Sequence, residues 1–193
     1  MLSLEESLKI LKETNALIEG HFILSSGLHS SRYVQCAQLM SKPNKASKIC
    51  TSLAEKINNR YPDFDLILSP AMGGVIIGYE IGKLLNKETI FSERVNNEFK
   101  LRRDFNIKKN TKVLIIEDVI TTGKSSLECS KLVTSNEGII VGYACIIDRT
   151  AGKSAINDNI VSQLKLNIPT YRDDNLPKEL FSIKPVKPGS RNI

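Results

Sequence analysis

Residues 117–125 combine two kinds of group that one ligand could use at its two ends: the adjacent acids Glu117 and Asp118, then Val119 and Ile120, then Thr121, Thr122, Gly123, Lys124 and Ser125. The apolar run before them predicts a strand and the segment after them a helix. The loop thus sits at a helix N-terminus, where free N–H groups and hydroxyls bind a phosphate monoester. Carboxylates repel that phosphate, yet they accept hydrogen bonds from the vicinal hydroxyls of a sugar. The order of groups fits a ribose phosphate, with hydroxyls on the acids and the 5-phosphate on the loop. A capped helix with surface acids is the plainer alternative, and the order of groups speaks against it. Gly123, Lys124 and Ser125 also match the second half of the triphosphate loop G-x-x-x-x-G-K-[ST], but Asp118 stands where that loop needs its first glycine.

Two other predicted strand ends carry candidate groups. After the run 65–69 come Pro70, Ala71, Met72, Gly73 and Gly74. Paired glycines let the backbone approach an anion and aim N–H groups at it, although a plain strand-to-helix turn would look the same. After the run 139–148 comes Arg149, which either closes a salt bridge at the sheet end or presents its planar fork to oxygens of a second substrate.

These loops need a scaffold of alternating elements. Strands are expected at 65–69, 88–92, 112–117 and 139–148, and helices at 75–85 and 124–134. Such alternation implies an α/β fold, a parallel sheet with helices on both faces, whose ligands sit beyond the carboxyl ends of the strands. Upstream, a capping box from Ser3 to Glu6 opens a helix expected over 4–18, and 20–36 reads as a small hairpin. A further helix, opened by Ser41 and Pro43, carries Ala46, Ile49, Leu53 and Ile57 on one face. The expected organisation is one domain over 1–193, with an N-terminal hood at about 1–40, a core at about 41–175 and a Pro-rich tail at 176–193.

Composition narrows the classes. At 193 residues, 41% hydrophobic and 25% charged, the chain reads as a globular protein with no membrane span and no secretory signal, hence cytoplasmic. Cys36, Cys50, Cys129 and Cys145 lack C-x-x-C spacing, and His21 and His29 are the only histidines. Zinc sites and disulfide frameworks are disfavoured, and the thiols read as buried and inert. The net charge of +6 includes a cluster from Lys100 to Lys112. Without interleaved aromatics this fits a solvated face or a small polyanionic substrate better than nucleic acid.

The stretch "VLIIEDVITTGKS" resembles the signature of the type I phosphoribosyltransferases. "GHFILSSGLHSSRYVQC", "SPAMGGVIIGYE", "FSERVNNEFKLRRDF", "IIDRTAG" and "VKPGSR" are similar to the orotate phosphoribosyltransferases of the shorter-lid bacterial form. The resemblance spans nearly the whole chain. It implies a small hood on the parallel sheet and transfer of the 5-phosphoribosyl group from 5-phosphoribosyl 1-diphosphate to orotate, giving orotidine 5′-phosphate and diphosphate in pyrimidine synthesis. A purine phosphoribosyltransferase and a phosphoribosyl-diphosphate-sensing, nucleic-acid-binding regulator are the rival readings. The first leaves the hood and Arg149 unexplained, and the second lacks an added DNA-binding helical domain.

The same resemblance implies roles. Glu117 and Asp118 would hold the ribose hydroxyls, with Asp118 nearest the reacting centre. Val119, Ile120, Thr121, Thr122, Gly123, Lys124 and Ser125 would complete the sugar-phosphate loop, while Ala71, Met72, Gly73 and Gly74 cradle the diphosphate. Thr121, Arg149, Ser26, Gly27 and Tyr33 would bind orotate. A lid over 93–106 would supply Arg94, Lys100, Arg102 and Arg103 to a neighbouring subunit of a homodimer. Magnesium would be held through the substrate, near Asp118, with no direct protein cage. Neither nucleic acid nor membrane is an implied partner. Two departures stand out: Ser25 and Gly73 occupy positions where many members have lysine, and the lid lacks the histidine of longer-lid members.

Overall fold

The computed structural model describes residues 1–24, 26–156 and 160–188. The first helix, α1 (Leu4–Glu13), begins as the capping box dictates: Ser3 Oγ accepts from the Glu6 N–H at 3.1 Å and Glu6 Oε2 accepts from the Ser3 N–H at 2.8 Å. It stops at Glu13 rather than 18, because Asn15 takes a left-handed conformation (φ 56°) and the buried Ala16 and Leu17 start a strand. That strand, β1 (Leu17–Ile23), pairs antiparallel with β2 (His29–Val34), which forms the expected hairpin. A short helix, α2 (Cys36–Met40), comes next, and α3 (Pro43–Arg60) starts with Pro43 in its first turn. Ser41 does not cap α3; its hydroxyl donates back to the Gln38 carbonyl at 2.9 Å.

The core sheet comprises β3 (Leu66–Pro70), β4 (Glu88–Val95), β5 (Glu98–Leu101), β6 (Lys112–Ile120), β7 (Ile139–Asp148) and β8 (Ile160–Lys165), in the order β5-β4-β3-β6-β7-β8. Every pairing is parallel except that of β5 with β4. Helices α3 and α4 (Gly73–Leu85) pack on one face through Ile57, Ile77, Ile81, Leu114 and Ile116. Helix α5 (Lys124–Ser135) packs on the other through Cys129 and Val133 against Val113 and Ile115. The expected doubly covered parallel sheet is present, and no described helix is long and apolar enough to cross a membrane.

Two strands go beyond the sequence reading. β8 is a polar edge strand, recognisable only from its partners: Lys56 Nζ donates to the Gln163 carbonyl at 2.7 Å and Gln163 Nε2 donates to Ser7 Oγ at 2.8 Å. β5 turns part of the expected mobile lid into a hairpin, because Asn96 and Asn97 adopt positive φ (51° and 65°), the backbone a tight hairpin turn demands.

The hood is tied to the C-terminal segment. The Val186 N–H donates to the His21 carbonyl at 2.8 Å, and the His29 N–H donates to the Tyr171 carbonyl at 2.8 Å. His21 Nδ1 meets the Ile183 carbonyl at 2.9 Å, and its Nε2 lies 2.7 Å from His29 Nδ1. Both histidines are buried and serve this clasp.

Candidate active site

Side chains alternate along β6, so neighbours in sequence part company in space. Glu117 turns towards α5, where Oε1 accepts from the Ser126 hydroxyl. Asp118 turns to the opposite face and lies over Gly73 at the start of α4: a Cβ on Gly73 would come within 2.7 Å of Asp118 Oδ2. A glycine at 73 is therefore what lets this carboxylate rest on the 71–74 loop. The two segments meet because β3 and β6 are adjacent in the sheet. The loop is anchored by the Ala71 N–H donating to the Ser92 carbonyl at 2.8 Å, and its Ala71–Met72 peptide is cis.

Beyond Asp118, Val119 packs against the main core and Ile120 is buried beside Cys145 and Ile156, so these two offer a ligand only their backbone. Thr121, Thr122 and Lys124 are exposed and Ser125 is half-buried. Gly123 caps α5 with φ 76°, and a Cβ there would meet Ser154 Oγ at 2.6 Å. The loop is braced by the Ala155 N–H donating to the Thr122 carbonyl at 2.9 Å. The result is a helix N-terminus with hydroxyls around it, beside two carboxylates, an arrangement able to take a sugar phosphate.

Arg149 follows β7, with its N–H donating to the Ile120 carbonyl at 2.8 Å. Its Nε is buried and has no hydrogen-bond partner among the described residues. Burial draws its pKa below the ordinary guanidinium value, and the phenol of Tyr33 in the hood opposes that effect. Tyr33 packs on Phe22, with ring centroids 5.7 Å apart. Ser26 and Gly27 are exposed at the hairpin tip, where Gly27 has φ 81°. Ser25 and residues 189–191, which complete the "VKPGSR" stretch, lie outside the described residues.

All four lid cations face acids. Glu93 takes both Arg102 (3.6 Å) and Arg103 (2.7 Å), Lys100 pairs with Glu98 (3.9 Å), and Arg94 pairs with Glu128 on α5 (2.9 Å). Arg94 also stacks on Phe99, 4.1 Å from the ring centroid. Glu93, Glu128, Ser126 and Ser154 are thus contributors that sequence reading missed. Each gains its meaning only from a partner distant in the chain or across a strand turn. Cys36, Cys50, Cys129 and Cys145 are free and buried, and burial raises their pKa values, as expected of inert thiols.

Burial pushes the Glu117 carboxyl up to about 7; the Ser126 hydrogen bonds and Arg94 pull it down, while the Asp118 charge adds to the push. Burial also raises Asp118, opposed by the backbone N–H groups of Val119 and Asp118 itself. Between 4.5, the ordinary value for Glu117, and about 7, the folded chain keeps a proton that the unfolded chain has released. Stability therefore falls as pH rises through that window. Glu117→Gln removes this dependence, so its stability relative to the parent should rise by roughly 2–3 kcal/mol from about pH 5 to about pH 7.5. Urea unfolding of both proteins at the two pH values measures this, and a constant difference would contradict it.

Comparison with known proteins agrees with this geometry. The phosphoribosyl transferase domain profile matches residues 38–178. A protein of Methylorubrum extorquens (strain PA1) described as orotate phosphoribosyltransferase is 45% identical over 190 residues, covering 98% of this chain and 97% of its own. Among solved structures, an orotate phosphoribosyltransferase from Aeropyrum pernix superposes with a TM-score of 0.71 at 24% identity, covering 82% of this chain and 92% of its own. An adenine phosphoribosyltransferase from Thermoanaerobacter pseudethanolicus gives 0.58 at 18% identity, covering 70% and 88%. The fold is thus common to enzymes of differing base, and the chain belongs to the phosphoribosyltransferase family.

Proposed function

We propose that this chain is an orotate phosphoribosyltransferase, joining orotate to 5-phosphoribosyl 1-diphosphate to give orotidine 5′-phosphate and diphosphate in pyrimidine synthesis. The observation that carries this reading is the unpaired, buried Nε of Arg149, set under the hood and one strand away from the ribose-phosphate loop. A buried guanidinium N–H without a partner is costly, and an anionic base with carboxylate and carbonyl oxygens satisfies it. The near full-length likeness to a protein of that description supports orotate over a purine.

In this reading the loop at 121–125 holds the 5-phosphate, Glu117 and Asp118 hold the ribose hydroxyls, and the 71–74 loop holds the diphosphate. Thr121, Arg149, Ser26, Gly27 and Tyr33 enclose orotate beneath a hood formed by residues 1–40. Orotate brings an anionic nitrogen, so no strong base is needed. The difficult event is departure of diphosphate, which leaves positive charge on the ribose beside the Asp118 carboxylate. Lid arginines closing over the diphosphate stabilise the leaving group and exclude water.

Among the described residues no three His, Cys, Asp or Glu side chains form a metal cage. The two carboxylates at the end of β6 suit an ion carried in on the diphosphate and ribose oxygens, near Asp118. Magnesium held there would neutralise charge on the leaving group. Four free, buried cysteines suit the reducing cytoplasm.

We also infer a homodimer. Met72, Ile76 and Tyr79 form an exposed apolar stripe at the start of α4 (83%, 55% and 67% exposed), next to the diphosphate loop. A second copy packed on this stripe would bring its lid, residues 93–106, to the neighbouring site, and two-fold symmetry makes the exchange mutual.

Loss of orotate absorbance in the presence of phosphoribosyl diphosphate and magnesium tests the activity; no loss would reject it. Arg149→Ala should weaken orotate binding by roughly 2–5 kcal/mol while leaving donor affinity nearly intact. Equal losses for both substrates in calorimetric titration would make Arg149 structural. For the lid, an Arg149→Ala subunit is refolded together with an Arg102→Ala, Arg103→Ala subunit, each nearly inactive alone. Mixed dimers with a donated lid regain one intact site each, so activity should return to about a quarter of wild type. Confirmed mixed dimers with no regained activity would contradict lid exchange.

A further inference from the structure

A helix begins with backbone N–H groups that its own turns cannot pair. In α5 the N-cap is Gly123, which has no side chain to accept them. The Leu127 N–H donates to the Gly123 carbonyl at 2.9 Å, the first bond the helix makes within itself. Ser126, one residue earlier, donates its hydroxyl to Oε1 of the Glu117 carboxylate reaching across from β6. Lys124 and Ser125, the first two residues of the helix, keep their N–H groups towards the loop, with only a long contact of 3.4 Å from the Lys124 N–H to Thr122 Oγ1. The first turn of α5 is thus tied, through the Ser126 hydroxyl, to one of the two acids assigned to the ribose.

We propose that Ser126 is a positioning residue for the sugar-phosphate donor: it clamps the Glu117 carboxylate to the first turn of α5, fixing the ribose carboxylate and the phosphate loop as one unit. This deepens the reading of residues 117–125 as a ribose-phosphate site and rests on it. Ser126 is fully buried, Glu117 is 8% exposed, and the carbonyl of Ser126 accepts from Ser130 Oγ at 2.8 Å. Those surroundings leave the carboxylate little freedom while the clamp is made. Without the hydroxyl, a buried carboxylate loses a charge-assisted partner, and its orientation towards the sugar is no longer fixed. The effect falls on the donor alone, because Arg149, just after β7, and Tyr33, in the hood, are the groups assigned to the base, and neither is a partner of Ser126 or Glu117 in this clamp.

The test uses the intact protein and the variants Ser126→Ala, Glu117→Gln and their combination. Ser126→Ala should raise KM for phosphoribosyl diphosphate about tenfold, the scale of a hydrogen bond to a charged group, and leave KM for orotate unchanged. Calorimetric titration with phosphoribosyl diphosphate should show the same loss without turnover. The double variant should bind it no more weakly than Glu117→Gln alone, since both substitutions remove the same charge-assisted interaction. Unchanged donor affinity in Ser126→Ala, equal losses for donor and orotate, or additive losses in the double variant would each overturn the proposal. Should the wild type bind the donor but not consume orotate, the reading of the base fails, and the calorimetric comparison still decides the role of Ser126. Ser126→Thr, which keeps the hydroxyl that Glu117 accepts, decides the matter if Ser126→Ala does not fold: donor affinity close to that of the wild type supports the clamp, and a tenfold loss overturns it.

Discussion

A strand presents successive side chains to opposite faces, and the site grows from the point where β6 applies that rule to two acids in a row. Glu117 goes to the α5 face and is held by Ser126; Asp118 goes to the α4 face and rests over Gly73. One dipeptide thereby joins the start of α5, at the 121–125 loop, to the start of α4, at the 71–74 loop. Both carboxylates carry a desolvation penalty, which is why burial raises both pKa values. In the proposed reaction, two carboxylates kept out of bulk water would act on the positive charge of the sugar with little solvent screening.

The parallel sheet supplies the remaining placement. Strand order β4-β3-β6-β7 sets the lid root, the 71–74 loop, the 117–125 loop and Arg149 side by side at one edge. The lid leaves β4 as a hairpin whose arginines sit on Glu93 while 59% and 61% exposed. Exposed ion pairs of this kind contribute at most about 1 kcal/mol each. Such pairs hold the arginines in place at little cost to release, which suits the proposed closure of these cations over a diphosphate in a drier site.

Much of this was legible in the residues. Strands β3, β4, β6 and β7 announce themselves by continuous apolar runs, and helices α4 and α5 by the helix-like stretches after their glycine loops. The order acid, acid, apolar pair, threonines, glycine is what suggests a sugar phosphate from residue types, and it underlies the proposed site. The hidden parts depend on long-range partners. α1 ends early because Asn15 turns left-handed and Leu17 pairs with Val34. β8 is a strand because β7 and α3 cover it, despite its polar residues. Glu117 and Asp118 are neighbours in sequence, and strand geometry sends their side chains to opposite faces, a separation visible only once the strand is placed against its helices. Ser126 and Glu93 carry no signature of their own, since each acts only through the group it meets.

The most direct measurement is a crystal structure of the protein with orotidine 5′-phosphate, which carries both the base and the sugar phosphate in one molecule. The account predicts the phosphate among the N–H groups and hydroxyls of residues 121–125, the ribose hydroxyls towards Glu117 and Asp118, and carboxylate or carbonyl oxygens of the base within hydrogen-bond distance of the Arg149 guanidinium. A phosphate seated instead on the 71–74 loop, or a base with no contact to Arg149, would contradict it.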